Sequence, residues 1–212
     1  DRFTITRGAD SVDGRDGDAR VDFSEGEQWG AARGVNVNLV TGIAIDSWKS
    51  TDRLTSIEEV ITTSFNDTIT GSGADEMFMT GAGVDVIDGG AGFDRLAFWR
   101  VGENDDGGHG ININLSQTTS VIDDGYGNSE NAKRIEAIDG SQFDDLIVGS
   151  SAANSFWGDN GNDTLNGSSG NDTLHGANGD DSIIGGADDD RIQGGAGVDS
   201  VFGGSGFDRL VF

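Results

Sequence analysis

The stretch Gly158-Asp-Asn-Gly-Asn-Asp-Thr-Leu-Asn166, Gly167-Ser-Ser-Gly-Asn-Asp-Thr-Leu-His175, Gly176-Ala-Asn-Gly-Asp-Asp-Ser-Ile-Ile184 is one nine-residue unit written three times. Each copy carries glycine at its first and fourth positions, aspartate at the sixth and a large apolar residue at the eighth. In steps of nine the aspartate recurs forward at Asp190, Asp199 and Asp208 and backward at Asp145, with Asn154 in the one gap. The eighth position runs Ile147, Phe156, Leu165, Leu174, Ile183, Ile192, Val201 and Leu210. A unit this short buries nothing by itself, so the period predicts an all-β solenoid in which stacked copies make the core.

The same step is found upstream at Asp67, Glu76, Asp85 and Asp94, and again at Asp1, Asp10 and Ala19. The chain therefore divides into the end of a repeat block (1–22), a spacer (23–61), a block of four nonamers (62–97), a second spacer (98–139) and a block of eight nonamers (140–212). The spacers are copies of each other, Gly34-Val-Asn-Val-Asn-Leu39 matching Gly110-Ile-Asn-Ile-Asn-Leu115. Their apolar residues alternate with asparagine, the pattern of a half-buried strand. With Leu54, Ile57 and Val60, and with Ile135 and Ile138, they are expected to add strands to the same solenoid. Phe212 follows Asp208-Arg-Leu-Val as Phe98 follows Asp94-Arg-Leu-Ala, which fits a piece of a longer protein where a third spacer begins.

Charge narrows the partners. Thirty-eight acids against 13 bases give a formal charge of -25, which repels nucleic acid phosphates and anionic membrane surfaces and favours cations. Cysteine and proline are absent and there are two histidines, so disulfides and thiolate metal sites are excluded and zinc is a poor match. No apolar run reaches membrane-spanning length, so membrane insertion is not expected. One large apolar side chain per nine residues is little to set against the entropy of ordering the backbone. Stacking also brings the acids of neighbouring coils together. A hard divalent cation with six to eight oxygen ligands relieves both problems, and calcium accepts carboxylates and backbone carbonyls alike. Glycine lets those carbonyls turn toward an ion.

The unit GGxGxDxUx, with U apolar, resembles the RTX, or hemolysin-type, calcium-binding nonapeptide repeat, and the resemblance covers the three blocks. It implies a parallel β-roll in which six residues of each unit form a turn and three a short strand. Calcium then lies between turns two units apart on one edge. On this chain the paired acids are Asp163 with Asp181 and Asp199, Asp172 with Asp190 and Asp208, and Asp67 with Asp85. Asp94 and Asp145 complete the acid ligands. Carbonyls are expected from Gly158, Gly161, Gly167, Gly170, Gly176, Gly179, Gly185, Gly194, Gly195 and Gly197. The resemblance implies several Ca2+ ions, about six to nine, and a secreted, extracellular or cell-surface protein exported by a type I system. Ala19 and Asn154 replace the acid and Glu76 lengthens it. Phe65, Ala74, Phe143, Ala152 and Asp188 replace the second glycine, marking turns where sites weaken. Phe65 and Phe143 are read as caps.

Other groups point to less. The acidic loops 103–106 and 123–130 lack the ligand order of an EF-hand and read as solvated. Trp29, Trp48 and Trp99 read as core or cap packing rather than a sugar-stacking face, and His109 as a surface residue. HExxH, GxSxG and GxxxxGK[ST] motifs are absent, so the chain reads as a non-enzyme, with catalysis reserved for some other part of a longer protein. The function expected is a calcium-binding roll that folds on binding its ions after secretion. The alternative is a module that recognises polysaccharide or a cell surface, which an exposed stripe of aromatic and basic residues would favour.

Overall fold

The computed structural model describes residues 1–15, 17–30, 32–99, 101, 108–117 and 120–211. The loop 103–106, Phe212 and the side chain of Trp29 lie outside the described residues. Two sheets face each other, one of ten strands and one of thirteen among the described residues. Consecutive nonamers alternate between them, so each strand pairs in parallel with the strand two units on. Ser155–Asn160 pairs with Thr173–Asn178, placing Phe156 beside Leu174, and Thr164–Ser169 pairs with Ser182–Ala187, placing Leu165 beside Ile183. This is the parallel β-roll that the resemblance implies, built on the solenoid that the nine-residue period predicts.

The eighth position supplies the core. Ile147, Phe156, Leu165, Leu174, Ile183 and Ile192 point inward and are at most 2% exposed, and Ile69, Phe78, Ile87 and Leu96 do the same in the second block. Val201 is only half-buried and Leu210 is exposed, at the end of the stack. The strands of the last block are longer than the expected three residues. They run from the seventh position of one unit to the third of the next, because those first three residues also pair between coils. The turn is correspondingly compressed into positions four to six.

The spacers join the roll without interrupting it. In the first, Asn36–Asn38 pairs in parallel with Thr68–Thr70 of the next block. The chain then doubles back through the antiparallel strand Ile43–Ile45 to Thr51–Thr55, which lies parallel to Ser11–Asp13 of the block before. The second spacer repeats this with Asn112–Asn114, Ser120–Asp123 and Ser129–Lys133. Val35, Val37, Ile111 and Ile113 are buried, as their alternation requires. Glu59–Ile61 and Ala137–Asp139 carry the opposite sheet straight through. The expectation of a solvated acidic loop at 123–130 is corrected: Asp124 and Glu130 are buried. Asp124 ties the hairpin by accepting the N–H groups of Tyr126 at 2.9 Å and Asn128 at 3.0 Å, as Asp46 does with Trp48 and Ser50 in the first spacer.

Trp99 packs on the outer face of the ten-stranded sheet against Ile61, Met79 and Ala97. Trp48 is half-buried. His109 is exposed, with Nε2 3.3 Å from an Asp123 oxygen.

Candidate metal centre

The sixth-position acids form ladders along the two edges of the roll. Asp145 N–H donates to Asp163 Oδ1 at 2.9 Å, Asp163 N–H to Asp181 Oδ1 at 2.9 Å, and Asp181 N–H to Asp199 Oδ1 at 3.1 Å. On the opposite edge Asn154, Asp172, Asp190 and Asp208 are linked in the same way. In the second block Asp67 N–H reaches Asp85 Oδ1 and Glu76 N–H reaches Asp94 Oδ1. The acids that the resemblance pairs are thus brought together, each carboxylate facing the acid two units before it.

Beyond the ladder, the fate of the remaining oxygens of each acid divides the turns into two kinds. In the first kind one oxygen has no partner. Oδ2 of Asp85, Asp94, Asp163, Asp172, Asp181 and Asp190 is buried and accepts no hydrogen bond. These turns have a residue in the left-handed region at position two (Gly81, Gly90, Asp159, Ser168, Ala177, Gly186) and another at position four (Gly83, Gly92, Gly161, Gly170, Gly179, Asp188). Gly195 and Gly197, and Gly204 and Gly206, place the turns of Asp199 and Asp208 in the same class, although those two acids are more exposed.

In the second kind the acid is satisfied from within its own turn. Asp145 Oδ2 accepts Ser141 N–H at 2.7 Å and Oδ1 accepts the Ser141 hydroxyl at 2.6 Å, while Ser141 Oγ accepts Phe143 N–H. Thr63 does the same for Asp67 and Phe65, Ser72 for Glu76 and Ala74, and Ser150 for Asn154 and Ala152. These are the four turns whose fourth residue is Phe or Ala. A side chain there resists positive φ, so the backbone takes the other conformation and directs its N–H at the acid. Asp67 and Asp145 therefore sit in closed turns. Asp188, also expected to weaken its site, adopts φ 76, a conformation that aspartate tolerates better than most residues, and its turn stays open.

Beside these carboxylates the first-position glycine leaves a space that a side chain would fill, as Gly140 does beside Asp145 in a closed turn. A β-carbon on the first-position glycine would overlap Oδ2 of its own acid: Gly158 against Asp163, Gly167 against Asp172, Gly176 against Asp181, Gly185 against Asp190 and Gly194 against Asp199. The carbonyls of Gly176, Gly185, Gly194 and Gly203 stand two units on, at the same places. Gly161, Gly170, Gly179, Gly195 and Gly197 lie so close to the coil two units before that a side chain would strike its backbone. Among the described residues no three acid, histidine or cysteine side chains converge on one point, so a bound ion must draw on carbonyls as well as carboxylates. That donor set suits calcium.

The electrostatics state the same need. Desolvation by burial is the first cause raising each of these acids above the usual carboxylate range, followed by the charges of adjacent acids: Asp163 to about 8, Asp172 and Asp94 to about 7, and Asp85 to about 9, with Asp181 and Asp190 raised as well. A buried carboxylate lacking a partner holds either a proton or a cation.

The family model of the RTX calcium-binding nonapeptide repeat (4 copies) matches residues 61–96, 139–174 and 175–210, just over half of the 212 residues. The chain belongs to this family. Its RTX repeats make it a calcium-binding β-roll module. No curated protein matches the chain, and no helix among the described residues is long and apolar enough to cross a membrane.

Two sets of residues in the RTX module escaped sequence reasoning. Asn or Asp at the fifth position builds an outer ladder running the opposite way: Asn162 N–H donates to Asp144, Asp180 N–H to Asn162, and Val198 N–H to Asp180, all at 2.7 to 2.8 Å. The recurrence of Asn-Asp and Asp-Asp before the apolar position was its signal. The spacers also supply acids that continue the inner ladder. Asp10 N–H donates to Asp52, Ala19 N–H to Glu58, Asp85 N–H to Glu130 and Asp94 N–H to Glu136.

Proposed function

We propose that this module binds calcium in its open turns, stays unfolded where calcium is scarce and folds on reaching the higher calcium outside the cell after type I secretion. The observation that carries this reading is the row of six buried, unpartnered carboxylate oxygens, all in turns of one backbone conformation. Without an ion those oxygens oppose the compact state; with one they hold it together, so binding energy becomes folding energy. The family is typically one of secreted proteins, in keeping with a calcium-triggered fold. The role is structural and cation-binding rather than catalytic.

Counting bound ions by equilibrium dialysis tests the assignment turn by turn. Asp181→Asn keeps the ladder acceptor but removes the charge, and should lower bound calcium by about one ion. Asp145→Asn, in a closed turn, should lower it by none. Equal losses, or none in either variant, would refute the division into open and closed turns.

A second reading, binding of an acidic polysaccharide, has one observation in its favour. On the outer face of the ten-stranded sheet the Trp157 and His175 rings stack with centroids 4.0 Å apart and planes 4° apart. Arg95, Arg191 and Gln193 border the same shallow cavity, and Trp157 is 47% exposed. Aromatic faces with flanking guanidinium groups suit a sugar ring bearing a carboxylate. Titration with a polyuronate oligosaccharide in calcium should show binding that Trp157→Ala weakens at least tenfold; equal affinity in the variant would dismiss this face.

A further inference from the structure

We propose that Asp85 and Glu130 together hold a divalent cation at the junction of the second repeat block and the second spacer, a site that no nonamer turn completes by itself. Glu130 lies on Ser129–Lys133, which runs parallel to Val86–Asp88 in the place where a further coil of the roll would lie. Asp85 N–H donates to Glu130 Oε2 at 2.7 Å, so the spacer glutamate occupies the ladder position that an aspartate holds elsewhere. The two side chains are at most 1% exposed. Asp85 Oδ2 and Glu130 Oε1 are both buried without a hydrogen-bond partner, whereas every closed turn satisfies its acid.

The surrounding charge is negative. Asp67 and Asp124 both face Glu130, and Asp67 also faces Asp85. The basic residues nearest in sequence, Lys133 and Arg134, are engaged by Asp88. Among the described residues no Lys or Arg forms an ion pair with Asp85 or Glu130. Two buried carboxylates in contact cannot both stay ionised without a counter-charge. Oxygen-only donors, one of them a glutamate able to bind through both oxygens, select a hard ion of calcium's size. Such an ion would tie the end of a short block to the hairpin that follows it, so the spacer would fold with the block rather than after it. The proposal shares the Asp85 oxygen and the identity of the ion with the reading of the open turns, and adds Glu130 as the second ligand.

The test is calcium binding by the full 212-residue chain, counted by equilibrium dialysis. Glu130→Gln and Asp85→Asn both keep the ladder bond and should each bind about one ion fewer than the parent, with the double variant no lower than either. An unchanged count in Glu130→Gln overturns the proposal. Asp181→Asn serves as the separate arm: if it loses no ion while Glu130→Gln does, the reading of the open turns fails and this site stands. Should the variants lose their β signal, crystals of the parent chain grown with terbium decide. An anomalous peak within about 2.6 Å of Asp85 Oδ2 and Glu130 Oε1 supports the site. No peak there, with the third block occupied, overturns it.

Discussion

Calcium-stripped protein should be most stable near pH 4 and lose stability steadily toward pH 9, the reverse of an ordinary acid-denatured domain. The acids responsible are Asp52 and Asp145, raised to about 6, Asp94, Asp172 and Glu130, raised to about 7, Asp163 to about 8 and Asp85 to about 9. Burial is the largest cause in each. A carboxyl whose folded pKa lies above its unfolded value of 3.8 or 4.5 binds more proton when folded, so its stabilisation is complete below the unfolded pKa and is lost as pH rises through the folded one. Calcium must displace these protons, and each proton displaced raises calcium affinity about tenfold per pH unit in that window. Thermal melts between pH 5 and 9, in metal-free buffer and in saturating calcium, should therefore give opposite trends. A stripped protein that gains stability as pH rises from 5 to 9 would show that these carboxylates are not buried in want of a charge.

The roll and its core were legible because both depend on a single period. Phe156, Leu165, Leu174, Ile183 and Ile192 are buried for the plain reason that every ninth residue returns to the same place in the coil. The closed turns were half legible. Phe65, Ala74, Phe143 and Ala152 stood out as replacements for glycine, but their consequence lies in a swing of the position-two N–H and hydroxyl onto the acid. The residue at position two does not reveal this alone. Ser150 closes its turn, while Ser168, followed by Gly170, takes φ 76 and leaves Asp172 open. The spacer acids were the least legible. Glu130 reaches Asp85 only because the hairpin reverses twice and returns a strand to the edge of an earlier block, and no local pattern encodes that register. Trp157 was hidden differently: it sits at a variable position, and its partner His175 lies two units away, stacked on it by the parallel pairing of their strands.

Withdrawal of calcium at neutral pH is expected to have the largest effect of all, loss of most of the β structure of the last block. Each of its coils contributes one apolar side chain to the core, while its acids are packed along two edges without counter-ions. Ordering the backbone costs about 1 to 2 kcal/mol per residue, against about 2 kcal/mol for one buried Leu or Ile. Ions shared between coils also couple the turns, so their filling should be cooperative. The decisive measurement is a calcium titration of stripped protein at pH 7.5, followed by far-ultraviolet circular dichroism and tryptophan fluorescence, with magnesium as the control. The account predicts a steep change from coil to β in calcium and none in magnesium, which keeps its waters and demands a tighter octahedron. A full β signal in the stripped protein, unchanged by calcium, would contradict it.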